Sequence, residues 1–260
     1  MQREHNKYDD KTMTLLSVNL NKIALLRNSR GRNFPSVTDF AQSALESGAA
    51  GITLHPRPDQ RHARFTDLYD IKPICHTYSA ELNIEGFPSQ EFLDIIHDIR
   101  PDQCTLVPDN PEQLTSDHGW DIERHGEFLE PIVKEMMLNG IRVSLFTDPH
   151  IPNIRGCHMV GAQRIELYTE QYAHAYHTKN RDHITTIYAE SAAFARTLGL
   201  EVNAGHDLSL ENVGHLCSHC HIDEVSIGHA LIVEALHFGF EHTVKRYVDI
   251  LQTSARKNRE

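Results

Sequence analysis

The feature that most limits the fold is an alternation repeated along the whole chain. Short apolar, β-branched runs lie at Leu15–Leu20, Gly51–His55, Leu82–Glu85, Cys104–Val107, Arg142–Phe146, Arg164–Tyr168, Glu201–Ala204 and Glu224–Ile227. Runs this short suit strands rather than helices. Between them lie longer stretches such as Val37–Ser47, Gln90–Ile99, Glu127–Asn139, His183–Leu198 and Ala230–Leu251. Their apolar residues recur at three and four positions, the spacing of a helix buried on one side. Gly48, Gly140, Gly161 and Gly199 each stand just before the next strand, where helices commonly stop.

Strand and helix in series imply a parallel sheet, because each right-handed crossover returns the chain to the same side. About eight such units close into a barrel. The expectation is an α/β fold, a (β/α)₈ TIM barrel, as a single domain with extra short helices. The 260 residues match the usual size of one such barrel. Residues 13–253 are expected to form the catalytic barrel, residues 1–12 a flexible N-terminal tail and residues 254–260 a C-terminal tail. An open doubly wound sheet is the alternative. No Gly-x-Gly-x-x-Gly turn follows the first strand, which weakens a dinucleotide-binding version of it.

Charge and cysteine content narrow the setting. The formal net charge of -11 argues against nucleic acid as a partner, since phosphate backbones need a basic face. No apolar run is long enough to span a membrane, so no membrane partner is expected. The polar start, Met1 to Lys11, lacks the apolar core of a secretory signal. Five cysteines at irregular spacings fit free thiols in the cytoplasm. Cys217-Ser-His-Cys220 resembles half a zinc site, but no second Cys-x-x-Cys completes it, so no metal is expected there.

In a barrel of this kind chemistry belongs at the carboxyl ends of the strands. Those ends are polar. They carry Asn19, Asn21 and Lys22 after strand one, His55 and Arg57 after strand two, and Glu85 after strand three. Strand five ends at Thr147-Asp148, and strand six holds Glu166 and runs into Tyr168-Thr169-Glu170. Strand seven runs into Gly205-His206, and strand eight into Gly228-His229. A carboxylate inside a barrel is costly unless paired, so Glu85 and Glu166 are candidates for perturbed acid/base groups. His55 and His206 can exchange a proton near neutrality. Cations cluster at Lys22, Arg27, Arg30 and Arg32, and again at Arg57, Arg61, His62 and Arg64. In an acidic protein, two such clusters on one rim suggest an anionic ligand. Arginine forks and the free N–H groups opening a helix at Gly228-His229 both suit phosphate.

These residues carry a resemblance. Val18 through Gly31, Gly51 through His62 and Val202-Asn203-Ala204-Gly205-His206 resemble the pyridoxine 5′-phosphate synthase family. So do Asn83-Ile84-Glu85, Leu106-Val107-Pro108, Val143-Ser144-Leu145-Phe146 and Ile227-Gly228-His229, all in the family's order. The resemblance runs from about Leu15 to Leu251. It implies a (β/α)₈ barrel that condenses 3-amino-2-oxopropyl phosphate with 1-deoxy-D-xylulose 5-phosphate. The products are pyridoxine 5′-phosphate, phosphate and water, made with no cofactor or metal. It implies a homo-oligomer, commonly an octamer. By the same resemblance His55 and Glu85 are general bases, His206 the general acid and Glu166 a stabiliser of transition-state charge. Asn19 would contact the amino-ketone phosphate. Arg57, His62 and Thr115 would hold the deoxyxylulose phosphate, and Arg30, Gly228 and His229 would bind phosphate groups.

Two positions depart from the family pattern. Asn21-Lys22 stands where many members carry Asp-His, a pair that contacts the deoxyxylulose phosphate. Asp207 stands where glycine is common and its backbone N–H is used. Other readings remain open. One is a metal-dependent sugar-phosphate isomerase or hydrolase with His55, Glu85, Glu166 and His206 as ligands. The other is a non-catalytic barrel that binds phosphate compounds. The segment Asp109–Arg124, after strand four, is a candidate lid.

Overall fold

The computed structural model describes residues 13–109 and 116–257. The chain runs β1 (Leu15–Asn19), α1 (Asn21–Asn28), α2 (Val37–Glu46), β2 (Gly51–Leu54), α3 (Phe65–Tyr78), β3 (Glu81–Gly86), α4 (Gln90–Ile99) and β4 (Gln103–Leu106). It continues α5 (Ile122–Leu138), β5 (Arg142–Thr147), α6 (Ile151–Met159), β6 (Arg164–Tyr168), α7 (Glu170–Ala175) and α8 (Arg181–Thr197). It ends β7 (Glu201–Gly205), α9 (Val213–His219), β8 (Glu224–Ile227), α10 (His229–Phe238) and α11 (Phe240–Lys257). The eight strands are parallel to their neighbours and β1 closes on β8, so the sheet is a barrel. The (β/α)₈ expectation holds. The short helices α1, α7 and α10 are the additions to the basic plan.

The reason for closure lies in the period of two along the strands. Leu16, Val18, Ile52, Leu54, Leu82, Ile84, Val143, Leu145, Ile165, Leu167, Val202 and Val225 are buried and belong to one apolar cluster with the helices. Fully burying each side chain of this kind contributes ~1.5–3 kcal/mol. The alternate residues face the lumen, and they are polar. Ser17 Oγ lies 2.7 Å from Thr53 Oγ1, Asn83 Nδ2 donates to Thr53 Oγ1 at 3.3 Å, and Thr105 Oγ1 donates to Asn83 Oδ1 at 3.0 Å. Branched apolar residues usually fill such a lumen. Here hydrogen bonds fill it, and the apolar driving force sits between sheet and helices.

At the amino-terminal ends of the strands the lumen is closed by charge. Arg164 donates through Nε and Nη2 to Glu201 at 2.9 and 2.6 Å, and its Nη1 lies 3.5 Å from Glu224. Arg142 pairs with Glu81 and donates to Gln103 Oε1 at 2.9 Å. This floor ties β3, β4, β5, β6, β7 and β8 together at the end away from the candidate chemistry.

The helix stops behave as their glycines predict. Gly48, Gly140, Gly161 and Gly199 all have positive φ, from 78° to 102°. The single helix expected over Ala230–Leu251 is instead two, because Gly239 (φ 85°) breaks it between α10 and α11. α5 begins at Ile122, earlier than its apolar pattern suggested, with Asp121 accepting the Arg124 N–H as cap. α11 runs to Lys257, into the stretch expected to be a tail. The expected tail over residues 1–12 lies outside the described residues.

Candidate active site

The rim of the barrel opposite the charged floor encloses a cavity of about 370 Å³. Its lining gathers Asn19, Asn21 and Lys22 from the end of β1, His55, Arg57 and His62 from the end of β2, and Glu85 from β3. Glu166 of β6, His206 and Asp207 after β7, and Gly228 and His229 after β8 join them. Residues from six strand ends, far apart in sequence, thus meet in one space of a size that holds small ligands (~300–1,000 Å³).

A chain of hydrogen bonds sets the first wall. Asn21 N–H donates to Asn19 Oδ1 at 3.0 Å, and His55 N–H donates to Asn21 Oδ1 at 2.9 Å. Asn19 Nδ2 donates to Glu85 Oε2 at 3.5 Å. His55 Nδ1 lies 3.7 Å from the same Glu85 oxygen, too far for a hydrogen bond but close enough for strong coupling. Asn21 therefore has a structural task, orienting the strand-two end, besides lining the cavity.

The electrostatics separate the titratable groups. Burial, then the cations Arg57 and Arg61 and the imidazole of His62, holds His55 well below the usual histidine value. Burial and Arg57 lower His62 to about 4. Both rings are neutral near pH 7, and His55 is free to accept a proton. Burial and the nearby Asp109 push Glu85 up to about 7, against the pull of His206 and Arg57. Burial, Glu85 and Glu224 push Glu166 well above the usual carboxylate range. Its Oε2 is buried without a hydrogen-bond partner. Glu166 therefore holds a proton more tightly than an exposed carboxylate does. Gly205 makes room for it, since a Cβ there would stand 2.2 Å from Glu166 Oε1.

Some expected site residues are placed elsewhere. Arg27 is not a phosphate ligand. It is buried, donates to Asp67 Oδ1 at 2.5 Å and to the His62 carbonyl at 3.2 Å, and so straps the loop after β2 to α3. Asn28 reinforces the strap by donating to the carbonyls of Gln60, Arg61 and His62 at 3.2, 3.1 and 2.8 Å. Arg30 and Arg32 are exposed beyond α1, and neither lines the cavity; Arg61 and Arg64 do not line it either. Asp148 accepts the Gly119 N–H at 3.1 Å, and Glu170 pairs with His174 at 2.8 Å; neither lines the cavity. Thr115 lies outside the described residues, as do residues 110–114 of the candidate lid. Cys217 lies within α9 and Cys220 just after it, both buried. Among the described residues no three of His, Cys, Asp and Glu converge to hold a metal ion.

Sequence reasoning missed Asp109. It is buried, pairs with Arg57, and accepts from Ser116 Oγ at 2.8 Å. The signal was an acidic residue directly after the Leu106-Val107-Pro108 strand end, which reads as apolar and was passed over. Ser116, Phe146 and Ser226 of the lining were also missed, whereas Tyr168, expected at the end of strand six, sets its ring 5.0 Å from that of His206.

Comparison with known proteins gives the family. Residues 16–253 match the family described as Pyridoxal phosphate biosynthesis protein PdxJ. The chain belongs to the PdxJ family. A pyridoxine 5′-phosphate synthase of Christiangramia forsetii is 48% identical over 241 residues, covering 92% of this chain and 100% of the relative. One from Cytophaga hutchinsonii is 49% identical over 237 residues, covering 91% and 98%. The solved thiamine phosphate pyrophosphorylase of Pyrococcus furiosus superposes with a TM-score of 0.59 at 13% identity, over 94% of this chain and 98% of that one. That likeness shows the barrel alone. The PdxJ match covers all eight strand ends except the first residue of β1, so every candidate residue described above falls within it.

Proposed function

We propose that this protein is a pyridoxine 5′-phosphate synthase. It condenses 3-amino-2-oxopropyl phosphate with 1-deoxy-D-xylulose 5-phosphate to pyridoxine 5′-phosphate, phosphate and water. The observation that carries the reading is the single cavity in which His55, Glu85, Glu166 and His206 meet Lys22, Arg57, His62 and the opening turn of α10. Forming an imine, losing water and closing a ring need several proton transfers at different atoms. The cavity has groups whose affinities for protons are pushed apart, which is how one site performs both acid and base steps.

The roles follow from charge state. His55, held neutral, is a base, and Glu85, titrating near neutrality, is a second. His206 is the acid. Glu166, buried in the lumen with a raised affinity for its proton, stabilises charge that develops in the transition state, which is worth more in a site without water. Lys22, Arg57 and the N–H groups at Gly228-His229 hold two phosphates, and holding both substrates removes the entropic cost of their encounter. Asn19 faces the amino ketone, and His62, Asn21 and Thr115 the deoxyxylulose phosphate. Arg30, exposed beyond α1, is assigned a phosphate-binding role by resemblance only.

The protein is further proposed to be a cytoplasmic homo-oligomer, an octamer by resemblance. Five buried cysteines, none of them in a disulfide, suit a reducing compartment. The exposed apolar side chains Leu25, Leu26, Val233, Leu236 and Phe238 on α1 and α10 offer a face for self-association. The function is tested by giving the purified protein both substrates together and each alone. Phosphate release that needs both supports the reading; release from one alone refutes it.

A further inference from the structure

β7 delivers the chain into two consecutive residues with left-handed backbone. His206 has φ 90° and Asp207 φ 57°. Non-glycine residues resist this region, at a cost of about 1–2 kcal/mol each, so it persists only where surrounding bonds hold it. They are present. The Thr169 hydroxyl donates to the carbonyls of both Gly205 and His206. Asn212 Nδ2 donates to the Asp207 carbonyl at 3.1 Å. Asn212 is itself buried and fixed, accepting the Ser209 N–H at 2.8 Å on its side chain and the Tyr172 hydroxyl at 2.7 Å on its carbonyl.

This backbone turns the two side chains onto each other. Asp207 Oδ2 lies 3.0 Å from His206 Nδ1. The Tyr168 ring meets the imidazole edge-on, with centroids 5.0 Å apart and planes at 81°. Asp207 lines the same cavity as the phosphate cradle at Gly228-His229, and within it Oδ2 is engaged on the imidazole. The contact also holds Asp207 below the usual carboxylate value, so it is ionised. Glycine, common at this position in the family, would take the same backbone freely but would leave Nδ1 without an acidic partner.

We propose that Asp207 is a positioning residue: its carboxylate holds the Nδ1–H of His206 and makes Nε2 the nitrogen that gives up and regains the proton. The catalytic half of this rests on the role proposed above for His206; the tautomer half does not. When the imidazolium donates from Nε2, the proton on Nδ1 stays with Asp207, and the neutral ring left behind is the Nδ1–H tautomer. Free neutral imidazole interconverts between tautomers, and which nitrogen keeps the proton is set by the bond the other makes. Asp207 therefore favours the tautomer that keeps the proton on Nδ1.

The test joins nitrogen NMR to kinetics. In the full-length protein labelled with ¹⁵N-histidine, the His206 ring signals are those absent from His206→Gln. In its neutral form, wild-type His206 should show the Nδ1–H pattern, without any substrate present. Asp207→Ala should move it toward the Nε2–H pattern. Asp207→Gly, which relieves the left-handed strain while removing the carboxylate, should do the same. Asp207→Asn, whose amide oxygen still accepts, should keep the Nδ1–H pattern. In turnover, Ala and Gly should lower kcat roughly tenfold, the scale of one hydrogen bond to a charged group. Asn should recover part of the loss, with KM for both substrates within about twofold throughout. A wild-type Nε2–H tautomer, or Ala and Gly variants with unchanged tautomer and unchanged kcat, would overturn the proposal. A protein that shows the Nδ1–H tautomer but makes no pyridoxine 5′-phosphate would leave the pairing intact and refute the synthase reading.

Discussion

Gly205→Ala isolates the geometry on which the site depends. Gly205 is buried at the end of β7 and its φ is not among the positive ones, so alanine meets no backbone obstacle. The obstacle is Glu166. A Cβ would stand 2.2 Å from its Oε1 and 3.2 Å from its carboxyl carbon, where ordinary contact begins near 3.4 Å. The carboxyl group must retreat by about 1.2 Å, within a lumen already filled by polar side chains. Overpacking of this kind costs ~1–3 kcal/mol. A displacement of roughly 1 Å at a positioned group lowers rate on the order of 10²-fold. Urea denaturation should show the stability loss as a lower midpoint at unchanged slope. The decisive comparison is a double-mutant cycle. In a Glu166→Ala background the nearest remaining atom to the added methyl is the Ser226 carbonyl oxygen at 3.5 Å, an ordinary contact, so Gly205→Ala should then be neutral within about 0.5 kcal/mol. Equal destabilisation in both backgrounds would show that the penalty arises elsewhere, and a fully active Gly205→Ala would refute the placement of Glu166 at the chemistry.

Three further outcomes follow from the same structure. Because Glu85 titrates near 7, kcat/KM should rise with pH through neutrality, and Glu85→Gln should abolish turnover with that limb. The same raised value means that folding holds the proton the unfolded chain gives up. The resulting penalty is absent below pH ~4.3 and grows until pH passes about 7, so Glu85→Gln should raise Tm at pH 8 and scarcely at pH 4; equal shifts at both would contradict it. Asp67→Ala should destabilise the fold by ~3–5 kcal/mol in urea titration, because it strands the buried Arg27, whereas Arg30→Ala should change stability by less than about 0.5 kcal/mol.

Much of this was legible in the residues. The period-two strands, the glycine stops and the eightfold alternation are local properties, and each strand was located to within a residue at either end. Polar strand ends pointed to the rim because the barrel's topology dictates where loops converge. The residues that sequence reasoning misplaced share one cause. Arg27, Arg30 and Arg32 are neighbours in the chain, and only the winding of α1 decides that one turns inward to Asp67 while the others face outward. Asp109 was invisible for a related reason: its meaning comes from Arg57, far away in sequence, and a lone carboxylate after an apolar strand carries no mark of that partner. The stretch Ala230–Leu251 reads as one helix because apolar residues recur at helical spacing through both α10 and α11, and Gly239 alone marks the break. Asp207 was legible as a departure from the family, but its direction was not, since that depends on Thr169 and Asn212.

The most direct test of the account is the stoichiometry of the reaction in metal-stripped protein. Inorganic phosphate and pyridoxine 5′-phosphate would be followed together, with both substrates supplied. The account predicts one phosphate released for each pyridoxine 5′-phosphate formed, at a rate unchanged by stripping the metal and lowered roughly 10²–10⁴-fold in His206→Ala. Phosphate release without the pyridine product, or activity that returns only when a divalent metal is restored, would contradict it.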